Sequence, residues 1–258
     1  MIYKNELIEA KLLKRYKRFF ADIELTDKAG NKQLLTIHVP NTGSLKGVID
    51  KDAKNPQNCL ISLHGDSTKK LAGTLEAVQT HDGVWVGVNT AIPNKVVKES
   101  AELTVSGRPF LKHWAGYTFY KSEFKINKES RLDGAFCIAE ADLEDAKSKK
   151  HFIEIKNTTL QRKINGKAHA QFPDSVTERG EKHLREMMKL IEEGHKCELI
   201  FAIQRTDVEV FSVADDIDPE YGKTFKKAVA AGLIITPLII ELDKKKVQLT
   251  SRQLDLLN

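Results

Sequence analysis

Three charged residues on two predicted strands have the types and spacing of a phosphodiester-hydrolysis site. Asp133 lies on one strand, and Glu154 and Lys156 lie on the next, separated by an isoleucine. Because residues two apart in a strand share a face, Glu154 and Lys156 project together while the flanking isoleucines face the core. Charged groups on a β-branched strand are costly to bury unless they bind something. The pattern therefore favours a ligand-binding role for these three side chains.

A divalent cation is the ligand that this set favours. If the two strands are antiparallel neighbours, Asp133 and Glu154 converge on one Mg²⁺ or Mn²⁺ ion, and Mg²⁺ typically takes one or two carboxylates and keeps waters. Such an ion polarises a phosphoryl oxygen and lowers the pKa of bound water, and Lys156 would orient that water or stabilise the developing charge. Glu123, on the preceding predicted strand, is a candidate further ligand or an ordinary surface glutamate. The alternative for the whole set is an exposed Glu–Lys pair, since E-x-K is common by chance.

The second half of the chain must supply the strands that carry these residues. Hydrophobic periodicity predicts strands at 118–126, 130–138, 151–158, 197–204, 208–213 and 233–242, and helices at 93–103, 177–193 and 218–231. This order implies a mixed α/β sandwich. Ser175 and Glu178 have capping-box spacing at the start of the second helix, and Gly194 has the position of a C′ glycine. Segment 161–171 is too irregular to predict as a strand, and we expect a mobile loop over the site.

A second aspartate competes for the same role. Pro173 and Asp174 resemble the start of the PD…(D/E)xK nuclease motif, but they follow Glu154 and so lie in the wrong order. We expect Asp174 to help start the following helix instead. The motif aspartate is then Asp133, which is preceded by Leu132 and not by proline.

The first half of the chain reads as strands and turns. Strand patterns cover 12–25, 34–39, 59–63, 73–79 and 84–88, with turn signals between them. Five short strands in so short a segment predict a small barrel, and an OB-like barrel is the leading candidate. We therefore expect two domains, an OB-like, nucleic-acid-binding β-barrel over residues 1–89 and a mixed-sheet α/β domain over residues 90–258.

Cations and aromatic rings are interleaved near the start of the barrel. The segment contains Lys11, Lys14, Arg15, Tyr16, Lys17, Arg18, Phe19 and Phe20. The cations can contact phosphates, and an exposed ring can stack on a base. In the alternative interpretation the phenylalanines are core and the cations form a solvated edge, and at least one phenylalanine is expected in the core. Arg179 and His183, one helical turn apart, are further candidates for phosphate contact or are ordinary surface residues.

Composition indicates a soluble globular protein. Of 258 residues, 41% are hydrophobic and 30% charged, and the net charge of +5 is only weak support for a nucleic-acid partner. No apolar stretch reaches the length of a bilayer span and the start does not resemble a secretory signal, so we expect a cytoplasmic protein without membrane association. The three cysteines, Cys59, Cys137 and Cys197, lie in or beside apolar runs and are expected to be buried and reduced.

Seven short motifs occur in order along the chain. They are Arg15–Phe19, Pro40–Ser44, Gly87–Thr90, Ser130–Asp133, Glu154–Asn157, Phe172–Asp174 and Thr177–Arg185. Together they resemble the signatures of the sugar fermentation stimulation protein A (SfsA) family over residues 12–242. The resemblance implies an N-terminal OB-like domain, a restriction-endonuclease-like C-terminal domain, DNA binding and a role in expression of sugar-utilisation genes. Gly134 and the segment Lys70–Ala72 depart from the family pattern, and both departures are expected to loosen local packing.

These residues and the resemblance support a leading function and two alternatives. The leading function is a Mg²⁺- or Mn²⁺-dependent nuclease-like DNA-binding protein with a PD-(D/E)xK-type site, in which Asp133 and Glu154 hold the metal and Lys156 positions the water. One alternative is a non-catalytic DNA-binding regulator of maltose-type sugar-utilisation genes, and a weaker one is a small-molecule or nucleotide sensor. The absence of a helix-turn-helix or zinc-finger pattern disfavours a sequence-reading transcription factor. The sequence leaves open whether the partner is DNA or RNA and whether the chain forms a homodimer.

Overall fold

A closed barrel forms the N-terminal part of the protein. The computed structural model describes residues 1–50, 55–65, 68, 70–145 and 147–257. The first strands are β1 (Ile8–Tyr16), β2 (Phe20–Thr26), β3 (Lys32–His38), β4 (Gln57–Leu63), β5 (Gly73–Gln79) and β6 (Trp85–Gly87). Their order is β3-β2-β1-β4-β5-β6, and a pairing of β3 with β5 closes the sheet. Five of these strands make the OB-like barrel that the sequence predicts.

The predicted strand over 12–25 is two strands. Lys17 and Arg18 have φ values of 47° and 62°, which reverse the chain between β1 and β2. These are left-handed conformations that non-glycine residues seldom adopt, so periodicity alone does not reveal the turn. The turn projects Phe19, which is 44% exposed, and Phe20 lies only partly buried against Tyr16, with ring centroids 5.8 Å apart. The prediction that one phenylalanine belongs to the core is therefore wrong.

The C-terminal part is a mixed α/β domain, as predicted. Its elements are α1 (Ala91–Val105), β7 (Phe119–Lys125), β8 (Arg131–Cys137), β9 (His151–Thr158), β10 (Leu160–Ile164), β11 (Lys167–Phe172), α2 (Glu178–Glu192), β12 (Lys196–Ile203), β13 (Val210–Val213), α3 (Pro219–Ala230), β14 (Ile234–Leu242), β15 (Val247–Gln253) and β16 (Asp255–Leu257). The main sheet has the order β15-β14-β12-β9-β8-β7. Strands β9, β12 and β14 are parallel, and both edges are antiparallel.

Helices cover both faces of this sheet. Helix α1 packs with Ile153, Ile155 and Ile200 on one face, whereas α2 and α3 pack with Phe152 and Leu199 on the other. This arrangement confirms that the isoleucines flanking Glu154 face the core. It also means that Glu154 points towards α2 and α3 and not to solvent, because strand faces alternate.

Segment 161–171 is not a loop. It forms most of the hairpin β10–β11, which pairs Ile164 with Lys167 across Asn165 and Gly166. Both turn residues have positive φ, 50° and 82°, and Asn-Gly is the preferred sequence for a two-residue hairpin turn. The expectation of a mobile loop is therefore wrong, and β11 continues through β13 to β16 as a second sheet.

The start of α2 also differs from the prediction. The helix begins at Glu178, and the Thr177 hydroxyl accepts a 3.1 Å hydrogen bond from the Gly180 amide, so the Ser175–Glu178 capping box is wrong. Asp174 does not cap the helix either, because its Oδ2 accepts from the Ser44 amide and hydroxyl at 3.0 and 3.1 Å. Gly194 does end the helix, with φ 86° and a 2.8 Å bond from its amide to the Ile191 carbonyl.

Two other expectations concern the whole chain. All three cysteines are free and buried, as predicted. Across the part of the chain that the structure describes, no helix is both long and apolar enough to cross a membrane.

Candidate active site

Asp133 and Glu154 lie on neighbouring strands. Strands β8 and β9 pair antiparallel, and Gly134 is registered with Ile153. The ladder ends at this pair, and Asp133 and Glu154 are the residues that follow it on β8 and β9. The Asp133 carboxylate accepts a hydrogen bond from the amide of Ile155, the residue after Glu154. The sequence prediction of antiparallel neighbours is confirmed, and the strand geometry brings the two carboxylates together.

Asp133 is held by two hydrogen bonds. Its Oδ2 accepts from the Ile155 amide at 2.7 Å, and its Oδ1 accepts from Asn94 Nδ2 at 2.7 Å. Burial, followed by the nearby Glu154 carboxylate, raises the pKa of Asp133 to about 6. Asn94 lies on α1, far from the motif in sequence, and no local spacing identifies it.

Glu154 is almost fully buried and receives two donors on one oxygen. Lys156 Nζ contacts Oε1 at 2.6 Å, and His183 Nδ1 contacts the same atom at 2.5 Å. Burial alone would raise the pKa of Glu154, but Lys156 and His183 hold it below its ordinary value. The second oxygen, Oε2, is buried without a hydrogen-bond partner. A buried carboxylate oxygen in that state costs free energy unless it contacts a cation or donor.

His183 has a different place from the one predicted. It is buried, with 6% exposure, and faces Glu154 from α2 instead of solvent. His183 is therefore not a surface residue, and its contact with phosphate stays a prediction. Arg179, one turn earlier, is exposed and forms no ion pair within the described residues, which leaves it accessible to a ligand.

Tyr221 is a site residue that the sequence analysis missed. Its side chain is fully buried on α3 and packs on Phe172 with ring centroids 5.3 Å apart. Burial, with Glu154 and Asp218, raises its pKa well above the ordinary value. The hydroxyl is buried without a hydrogen-bond partner, as is Glu154 Oε2. An amphipathic helix pattern does not distinguish such a tyrosine from ordinary core.

Gly134 tightens the packing beside Asp133. A Cβ at this position would collide with the Tyr120 ring, and the Tyr120 hydroxyl lies 3.5 Å from the Asp133 carbonyl oxygen. The expectation that Gly134 loosens the structure is therefore wrong, because only glycine lets the ring lie against β8. Lys70–Ala72 lies away from this site, and the Leu71 carbonyl contacts His64 Nδ1 at 3.1 Å.

The residues present fit a hard divalent cation bound by few protein ligands. No group of three or more His, Cys, Asp or Glu residues with metal-binding geometry occurs among the described residues. Two acidic side chains nevertheless suffice for Mg²⁺, which keeps several waters. The unpartnered Glu154 Oε2 supplies an oxygen that such a cation would satisfy. Glu123 does not join them, because its side chain is 58% exposed and pairs with Arg131 at 3.1 Å.

The basic segment near β1 divides into anchoring and exposed residues. Arg15 donates to the Arg18, Asn41 and Gly43 carbonyls at 3.0, 2.8 and 3.1 Å. Burial and the neighbouring Arg18 lower the pKa of Arg15. The guanidinium thus anchors the β1–β2 turn to the following loop and is not free to grip phosphate.

The remaining members of this segment face outward. Lys14, Lys17 and Arg18 are exposed and make no ion pair with any described residue. Tyr16 is partly buried and donates to Asp22 at 3.1 Å, while Lys11 bonds Asn58 at 2.6 Å. The basic surface is therefore smaller than predicted and consists of Lys14, Lys17 and Arg18.

The geometry defines a two-domain protein, an OB-like barrel followed by a mixed-sheet α/β domain that carries a buried glutamate and a partly buried aspartate on neighbouring strands. Family models agree: the SfsA N-terminal OB domain matches residues 13–88, and the sugar fermentation stimulation protein RE domain matches residues 91–246. A sugar fermentation stimulation protein homolog from Bdellovibrio bacteriovorus is 46% identical over 99% of both chains. A second from Geotalea uraniireducens is 35% identical over 95% of both. The chain belongs to the SfsA family.

A solved structure shares the fold. The structure of Pyrococcus furiosus SfsA in complex with Ca²⁺ aligns with a TM-score of 0.77 and 22% identity. The alignment covers 100% of this chain and 98% of that one. At this level of identity the likeness establishes the arrangement of strands and helices.

Proposed function

We propose that the protein is a DNA-binding, divalent-metal-dependent phosphodiesterase of the nuclease type. The observation that carries the proposal is the pair of acids on the neighbouring strands β8 and β9: Glu154 Oε2 is buried without a partner, and the nearby Glu154 carboxylate helps to raise the pKa of Asp133. Asp133 and Glu154 would hold Mg²⁺ or Mn²⁺. The relative from Pyrococcus furiosus was solved in complex with Ca²⁺, another cation that prefers oxygen ligands.

Each protein group has a distinct part in this proposal. The bound metal would supply Lewis acidity and a more acidic water. Asn94 and the Ile155 amide orient the Asp133 carboxylate, with both donors at 2.7 Å. Lys156, whose side chain is 13% exposed, reaches the site from the strand that carries Glu154 and stabilises negative charge on a phosphate.

A non-catalytic DNA-binding protein is the second candidate. Without a metal, Lys156 already neutralises Glu154 at 2.6 Å, and both Asp133 oxygens accept hydrogen bonds. A site neutralised in this way could stabilise the sheet and leave Lys14, Lys17 and Arg18 to bind the phosphate backbone. A regulatory role in sugar-utilisation genes would then rest on binding alone.

Cleavage assays separate the two candidates. Full-length protein would be incubated with single- and double-stranded DNA and RNA in Mn²⁺, Mg²⁺ or EDTA. We expect metal-dependent cleavage that Asp133→Asn and Lys156→Ala reduce by at least about 100-fold, by analogy with the loss of other preorganised groups. Glu123→Gln is the matched control and should cleave normally, because Glu123 lies outside the acid pair. Binding without cleavage in every condition, or normal cleavage by both variants, would reject the nuclease.

A further inference from the structure

Tyr221 places a hydroxyl in the core without a hydrogen-bond partner. Its side chain is fully buried on α3, and the part of the chain that the structure describes supplies no partner for its oxygen. A buried hydroxyl in that state costs free energy, and a phenylalanine would fill nearly the same space without this cost. Because buried polar groups almost always have partners, the hydroxyl indicates a group that the protein chain does not supply.

Hydrogen bonds and packing hold Tyr221 in place. Its amide donates to Asp218 Oδ1 at 3.0 Å, and Asp218 Oδ2 accepts from the Thr177 amide at 2.8 Å. These bonds join the first turn of α3 to the start of α2. A Cβ at Gly180 would lie 3.2 Å from Tyr221 Cε2, so the glycine lets the ring lie close against α2. The ring is therefore held between the two helices.

Helix α2 brings Tyr221 close to Glu154. His183 follows Gly180 by one helical turn, and its Nδ1 contacts Glu154 Oε1 at 2.5 Å. Neighbouring turns of α2 thus contact Tyr221 and Glu154. Burial, and then the Glu154 carboxylate, raise the pKa of Tyr221, which also indicates that the two side chains lie near each other.

Aromatic contacts lead from Tyr221 to the same strand. Tyr221 packs on Phe172, and Phe172 packs on Phe201, with ring centroids 5.3 and 5.5 Å apart. Phe201 is registered with Lys156 on β9, and Lys156 Nζ contacts Glu154 Oε1 at 2.6 Å. Tyr221 therefore approaches the site from α3, on the face of the sheet that carries Glu154 and Lys156.

Two unpartnered oxygens thus occur in one layer of the core. Neither Glu154 Oε2 nor the Tyr221 hydroxyl has a hydrogen-bond partner among the described residues, so the two do not bond each other. A carboxylate oxygen can bind a cation, whereas a phenol hydroxyl accepts or donates a hydrogen bond. Mg²⁺ keeps several waters when few carboxylates bind it. A water on the cation is thus a group that satisfies the hydroxyl, while the cation satisfies the carboxylate.

Resting on the proposed metal site, we propose that Tyr221 is a positioning residue whose hydroxyl hydrogen-bonds a water of the cation bound by Asp133 and Glu154. The hydroxyl accepts from this water and limits its rotation. Loss of such a partner around a metal commonly lowers affinity or activity. Tyr221 would thus hold one water in place while Lys156 stabilises the phosphate.

Tyr221→Phe removes the hydroxyl and keeps the ring. In EDTA, urea unfolding should show the variant to be at least as stable as wild type, because an unpartnered buried hydroxyl is lost. Mn²⁺ affinity, measured by calorimetric titration of the full-length protein, should fall by about 10-fold. Tyr117→Phe is the matched control, because Tyr117 packs on Phe136 on the opposite face of the sheet. Its Mn²⁺ affinity should equal that of wild type.

Ultraviolet difference spectra give a signature that a purely structural role would not produce. A change in the hydrogen bonding of a buried phenol shifts tyrosine absorption, so Mn²⁺ should produce a tyrosine difference band in wild type. Tyr117→Phe should retain that band, and Tyr221→Phe should lose most of it.

The outcomes separate this inference from the proposed metal site. Equal Mn²⁺ affinity of wild type and Tyr221→Phe, or an undiminished difference band in that variant, would overturn the role of Tyr221 and leave the metal site intact. Lower stability of Tyr221→Phe in EDTA would also overturn it, because the hydroxyl would then have a partner within the protein. No Mn²⁺ binding by wild type would overturn both.

Discussion

Both donors that reach Glu154 bind the same oxygen. Lys156 and His183 contact Oε1 at 2.6 and 2.5 Å, while Oε2 has no hydrogen-bond partner. The two donors thus fix the orientation of the carboxylate and leave one oxygen available. Loss of a group that orients a metal ligand typically weakens metal affinity or activity by about 10- to 100-fold. His183 is, on this account, a positioning residue.

Substitution of His183 tests that role. His183→Ala should weaken Mn²⁺ binding by about 10- to 100-fold, the usual effect of losing an orienting partner. His183→Asn should recover part of the affinity, because an asparagine amide can donate close to the position of Nδ1. Calorimetric titration would measure both, and circular dichroism would establish that each variant is folded. Equal affinity of wild type and His183→Ala would contradict the assignment.

At the scale of elements, a second buried acid ties the main sheet together. Glu198 on β12 is fully buried and accepts from Trp114 Nε1 at 2.7 Å, from Thr236 Oγ1 at 2.5 Å and from His113 Nε2 at 3.0 Å. His151 Nε2 on β9 lies 3.1 Å away. Burial would raise the pKa of Glu198, but the neighbouring His113 and His151 side chains outweigh it and lower the pKa to about 2.

This network predicts a pH-dependent part of the stability. Since the pKa of Glu198 falls from 4.5 to about 2 on folding, its ionised form stabilises the native state above pH 4.5, and that contribution is lost as pH falls towards 2. The shift corresponds to about 3 kcal/mol. The free energies of unfolding of wild type and Glu198→Gln, measured with urea, should therefore differ most at pH 7. This difference should narrow by up to that amount as the pH falls.

A matched control isolates the effect of burial. Glu123→Gln removes a carboxylate whose side chain is 58% exposed, and exposed pairs contribute little. Its free energy of unfolding should track that of wild type at every pH. If the difference in free energy of unfolding between wild type and Glu198→Gln stays constant between pH 7 and pH 3, the assigned pKa is contradicted.

At the scale of the whole molecule, local periodicity predicted where the strands lie, but it did not predict which helices pack against them. Strands β8 and β9 and the shared face of Glu154 and Lys156 follow from alternation, which is a local property. The hydrogen-bond partners Asn94 and His183 come from α1 and α2, and Tyr221, whose hydroxyl has no partner, comes from α3. Only the packed sheet brings these helices to the acids. Alternation also could not show that helices cover both faces and bury Glu154.

Turn chemistry accounts for the other differences. The hairpin over 160–172 depends on Asn165 and Gly166, a short signal inside an otherwise polar segment. The break between β1 and β2 depends on two non-glycine residues with positive φ, Lys17 and Arg18. Because that turn projects outward, Phe19 is exposed in spite of its hydrophobicity. These turns and the exposure of Phe19 depend on the folded structure and cannot be predicted from local sequence patterns.

The central claim is that Asp133 and Glu154 together bind one divalent cation. Titration of Mn²⁺ into the full-length protein, followed by electron paramagnetic resonance, tests it directly because free and bound Mn²⁺ give different signals. We predict one saturable site per chain that is lost or greatly weakened in Asp133→Asn and retained in Glu123→Gln. No saturable binding by wild type, or unchanged binding by Asp133→Asn, would contradict the account.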